Sequence, residues 1–92
     1  MEVDGLPGGD LIRQGIEDLA RGMESIPALL VSIGASRLRR AGVAVPEAVL
    51  DSPEHRLYHL LWTSDPDGAH SRYNALIRRL VSYERAAECA GP

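Results

Sequence analysis

Large apolar side chains return every three or four residues along most of this chain, and short runs rich in glycine, proline and aspartate separate the repeats. Leu11, Ile12, Ile16, Leu19 and Met23 fall on one face of a helix that Asp10 would cap and that stops near Gly22. Arg13, Glu17, Asp18 and Arg21 take the opposite, solvated face, with Glu17 and Arg21 in the favourable order for an i,i+4 pair. Ser25 as cap and Pro27 in the first turn start a second helix over 26–41. Its apolar residues Ile26, Leu29, Leu30, Val31, Ile33 and Leu38 cover more than one stripe, which predicts the most buried helix of the chain. Gly34, Ala35 and Ser36 strip bulk from its middle, as close approach of another backbone or a kink requires.

Gly42 stops this helix, and 43–51 reads as a connector, either extended or with a short helix from Pro46. Ser52, Pro53 and Glu54 give a third start, for a helix reaching about Thr63. Asp65 and Pro66 repeat that pattern and open a fourth helix. Ala69, Tyr73, Leu76, Leu80, Tyr83, Ala87 and Ala90 alternate spacings of four and three along it, which is a heptad seam. At 1.5 Å per residue this helix is roughly 30 to 35 Å long, so part of its seam is expected to outrun its neighbours. The short turns make two antiparallel hairpins, 10–42 and 52–90, after a flexible arm over 1–9. The predicted fold is a single all-α domain, a four-helix bundle-like pair of hairpins with a long C-terminal helix.

Composition fits that picture and narrows the function. Apolar residues make up 45% and charged residues 25% of the 92, which is a globular balance. Phe is absent, so the core must rest on Leu, Ile, Val and Ala with Trp62 and three tyrosines. The single cysteine, Cys89, excludes an intrachain disulfide and any C-x-x-C metal spacing, and points to a reducing cytoplasm. The first ten residues carry neither a basic start nor a long apolar run, and no segment is long enough to span a bilayer, so neither export nor membrane insertion is expected. All ten basic residues are Arg, the habit of a GC-rich, bacterial genome. A net charge of −3 argues against nonspecific binding of nucleic acid.

Few residues invite chemistry. His55 and His59 stand four apart on the third helix and would converge on a metal ion if His70, Glu54 or Asp67 supplied a third ligand. The blander reading sets both at the solvent boundary of the Leu57, Leu60, Leu61 stripe. Arg37, Arg39 and Arg40 form a basic group at the end of the second helix, an anion-binding patch or simply partners for the helix dipole. On the fourth helix Arg78 and Arg85 project away from the seam and Arg72 and Arg79 flank it, while Glu84 and Glu88 are expected to break any continuous basic surface. A helix-turn-helix reading of the first hairpin fails, because PALLVSI in the second helix belongs in a core rather than in a DNA groove. No nucleophile elbow, phosphate loop or H-E-x-x-H motif is present, and no cofactor is expected.

The aromatics carry the remaining signal. Tyr58 and Trp62 lie one turn apart on the third helix, and Tyr73, Leu76, Leu80 and Tyr83 line the long seam, a set that suits an interface and equally suits core packing between the third and fourth helices. The expected function is therefore a non-catalytic interaction module, self-associating as a homodimer or docking on a protein partner through the third and fourth helices. A small helical enzyme or anion binder with Arg13, Arg37 and Arg72 around an intersubunit cavity comes second, and a nucleic-acid-binding protein third.

Overall fold

The computed structural model describes residues 5–90 and folds them into four helices, α1 (Gly9–Ala20), α2 (Ile26–Arg40), α3 (Pro53–Ser64) and α4 (Ala69–Ala90), with no strand among the described residues. This is the all-α, bundle-like fold that the periodicity predicts. α2 is its hub: it packs against all three other helices, whereas the substantial packing of α1 is against α2. Leu29, Leu30, Val31 and Leu38 of α2 are wholly buried, together with Ile12, Leu57, Leu61, Tyr83 and Ala87 from the surrounding helices. Each large aliphatic among them stabilises the fold by about 1.5–3 kcal/mol through removal from water. Helix α4 has 22 residues, about 33 Å, in a molecule 41 Å along its longest axis.

The first hairpin closes on features that apolar spacing does not reveal. Gly22 adopts a left-handed φ of 71°, and the amides of Gly22 and Met23 return to the carbonyls of Leu19 and Asp18, which is a Schellman stop. Gly42 ends α2 in the same way. Met23 thus lies beyond the helix, in the turn, and is exposed rather than part of the apolar face. The ion pair on α1 joins Arg13 to Glu17 at 3.0 Å, not Glu17 to Arg21. Asp18, expected on the solvated face, is buried: its Oδ2 accepts from the Ser25 hydroxyl at 2.7 Å and its Oδ1 from Gln14 Nε2 at 3.0 Å. Ser25 Oγ in turn accepts from the Ala28 amide, so one hydroxyl caps α2 and ties it to α1. These two donated hydrogen bonds hold the Asp18 carboxyl below its ordinary pKa.

Two glycines set how closely helices approach. A Cβ on Gly15 would collide with the carbonyl oxygen of Pro27 and with Val31, so the backbones of α1 and α2 meet there. The small-residue run in α2 serves a different neighbour: Gly34 leaves space for the side chains of Leu80 and Glu84 from α4.

The starts of α1, α3 and α4 depart from the expected caps, whereas Ser25 caps α2 as expected. Gly8, left-handed at φ 78°, occupies the N-cap of α1, which places Asp10 inside the first turn where its charge meets the helix dipole. Ser52 is also left-handed, and its hydroxyl makes no cap bond to α3. Pro66 does not open α4; residues 66–68 form a turn in which Asp65 Oδ1 accepts from the Gly68 amide, and the helix begins at Ala69. Of the arm, residues 1–4 lie outside the described residues, while Leu6 is half-buried against the core.

The connector is irregular and extended. Arg39 donates to the Pro46 carbonyl at 2.6 Å, and Ser32 Oγ accepts from the Leu50 amide at 3.1 Å. Because Ser32 precedes Arg39 by seven residues on α2, the connector runs back along that helix. Val43 is buried and Val45, Val49 and Leu50 pack on the core, so its apolar residues serve as a lid over α2.

Candidate functional site

Helix α3 shows two unlike sides. Leu57 and Leu61, one turn apart, are wholly buried, whereas Tyr58 and Trp62 on one flank are 39% and 50% exposed and Leu60 lies on the opposite flank. A single exposed apolar side chain is ordinary, but Tyr58 and Trp62 stand one turn apart on the same side and so form a patch. Tyr58 meets Tyr73 of α4 edge-to-face, with ring centroids 5.8 Å apart and planes at 64°, so the two rings fix one rim of this surface. Burial, with the nearby charge of Glu54, raises the Tyr73 phenol above its ordinary pKa.

The aromatic and aliphatic group expected at an interface therefore divides. Leu80 and Tyr83 lie in the core, Tyr73 and Leu76 are half-buried, and Tyr58 and Trp62 face water. The seam of α4 is used inside the molecule as far as Ala87, because α2 and α3 share its length between them.

His55 and His59 line an open cleft of about 220 Å³ with Glu24, Arg56 and Leu60. Glu24, the carboxylate nearest to being a third ligand there, is paired with Arg56 at 3.2 Å. His70 sits on α4 and contacts Asn74 at 3.2 Å. Among the described residues no three His, Cys, Asp or Glu side chains gather closely enough to hold a metal ion.

The three arginines at the end of α2 part company. Arg37 points across to α4, where Nε and Nη2 grip both oxygens of Glu88 at 2.7 and 2.9 Å and Nη1 reaches Glu84 at 3.2 Å. Arg39 serves the connector, and Arg40 stays exposed with its charge felt by Glu88. Glu84 is a residue that sequence reasoning missed: it is only 4% exposed, seated over Gly34. Burial raises its pKa against the opposing pull of Arg37, whereas the hydrogen bonds from Arg37 lower that of Glu88. The sole hint lay in the spacing, since Glu84 follows Leu80 by four residues and so shares its side of the helix. Arg13, Arg37 and Arg72 sit on three different helices, with Arg13 paired to Glu17 and Arg37 to the α4 glutamates. Cys89 is exposed near the end of α4.

The chain is a small helical bundle with exposed aromatic side chains on α3, and among the described residues no helix is long and apolar enough to cross a membrane. Comparison with protein families, with curated proteins and with solved structures finds no match.

Proposed function

We propose that this chain is a non-catalytic helical interaction module that pairs with a second copy of itself through the outer face of α3 and the aromatic rim it shares with α4. The observation that carries this reading is the half-exposed Trp62 beside Tyr58, itself anchored on Tyr73. Tryptophan and tyrosine in that setting supply large contact area at small entropic cost.

Charge favours a like partner. The charged residues of α3 are Glu54 and Arg56, and Arg56 is already neutralised by Glu24. A second copy meeting this face across a two-fold axis buries little unpaired charge, although each chain carries −3 overall. A 12-residue helix with its rim falls short of the roughly 800 Å² per partner of a standard interface, so a weak, concentration-dependent dimer is expected. Sedimentation velocity across a wide concentration range tests it. Wild type shifts from monomer toward dimer as concentration rises, and Trp62→Ala with Tyr58→Ala stays monomeric while keeping its helical circular dichroism. A wild-type chain that stays monomeric at millimolar concentration overturns the reading.

A further inference from the structure

The outward side of α4 is basic from Arg72 to Arg85, and the structure buries one of the two acids that would have interrupted it and pairs the other with Arg37. Glu84 turns into the core, and Glu88, exposed and within the field of Arg85, is gripped through both of its oxygens by Arg37 of α2. What faces water is Arg72, Arg78, Arg79 and Arg85, all exposed, with Ala75 and Ser82 between them. From Arg72 to Arg85 the stripe runs about 20 Å. Arg79 makes one long contact, 3.5 Å to the freely exposed Asp10, and Arg72 and Arg78 have no ion-pair partner among the described residues. Among the described residues the other acids lie on α1, on α3 and in the loops, so a net charge of −3 for the whole chain does not preclude a local group of arginines. Beside the stripe runs a groove of about 320 Å³, walled by Pro7 and Gly8 on one side and by Ala75, Arg78, Arg79 and Ser82 on the other.

We propose that this face of α4 binds the phosphate backbone of double-stranded DNA, with the convex helix seated in the major groove and the adjoining groove beside a flanking strand. Arginine matches phosphate oxygens in a bidentate fashion, and a serine hydroxyl adds a neutral donor. Small side chains between the arginines let the helix backbone approach closely. Four arginines spread over about 20 Å suit a run of regularly spaced phosphates along a duplex. The deep, narrow major groove of A-form RNA does not admit a helix. A lipid surface is disfavoured because this side of α4 carries no large apolar residue to insert.

Fluorescence anisotropy with a mixed-sequence duplex of about 20 base pairs tests the proposal, read as log affinity against log salt. Binding is expected in the tens of micromolar at about 50 mM salt, with a slope of about −3 to −4 for three or four neutralised phosphates. Arg78→Ala with Arg85→Ala is expected to weaken it at least about tenfold and to flatten the slope by about two, one for each arginine removed. Arg21→Ala, off this face at the end of α1, leaves the slope close to wild type. Circular dichroism of each variant shows that the fold is kept. Absence of binding at low salt, or a double variant that binds with the wild-type slope, overturns the proposal. Equal affinity for a poly-glutamate peptide or for phosphatidylserine vesicles, abolished by the same arginine substitutions, overturns the assignment to duplex DNA.

Discussion

Gly15 decides how α1 meets α2. Its missing side chain lets the Pro27 carbonyl sit against the helix, and a Cβ there would strike backbone, which cannot swing aside as a side chain can. Gly15→Val should therefore destabilise the chain by about 1–3 kcal/mol or more through overpacking, read as a lower urea midpoint at unchanged slope. A midpoint equal to wild type shows that the helices separate without cost. Glu84 gives a second prediction at this scale. Its folded pKa is raised by burial, so its contribution to stability is complete below the unfolded carboxylate pKa and is lost as pH rises through the folded value. Asp18 and Glu88 are depressed, so their contributions are present above the unfolded value and are lost as pH falls through the folded one. Glu84→Gln removes only the opposing member of this set. Its stability should gain on wild type as pH rises from about 3 to about 7, measured by paired urea melts. A variant that loses ground over that range contradicts the assignment. None of this was visible in a pattern of apolar positions, which treats Gly15 as a gap and Glu84 as surface.

At the scale of elements, the chain is held by polar ties between helices as well as by its aliphatic core. Ser25 is both the cap of α2 and a donor to Asp18 of α1, so it links two helices through one hydroxyl. Ser25→Ala should cost at least the ~1 kcal/mol of a lost N-cap, and it also leaves Asp18 without its shortest hydrogen bond. Hydrogen exchange should then quicken at the start of α2 and at the end of α1 together; faster exchange in α2 alone separates the cap from the tie. The existence, order and type of all four helices were legible in the sequence, since Leu and Ile spacing and the glycine stops act locally. Their first residues were less so. Ser-Pro and Asp-Pro pairs resemble caps, yet Ser52 turns left-handed without capping and Asp65 closes a turn before α4. Whether a hydroxyl or carboxylate caps depends on where the preceding connector delivers it, and apolar spacing says nothing about that.

The molecule as a whole presents two surfaces of opposite character, an aromatic face on α3 and a basic face on α4. Trp62→Ala alone should reduce self-association without altering the salt dependence of DNA binding, because the two faces share no residue. Sedimentation and anisotropy on that one variant check both halves of the statement, and coupled losses would show that the faces act as one. The sequence by itself determined the all-α class, the helix order and the long last helix, because helical periodicity and turn chemistry are properties of neighbours in the chain. Only the tertiary structure decided that the seam of α4 is consumed internally, that Arg37 draws Glu84 and Glu88 to one side, and that four arginines are thereby left on the other. The reason is physical: the charge a surface shows depends on which side chains find partners across helices, and those pairings join residues about fifty positions apart, as Arg37 and Glu88 are.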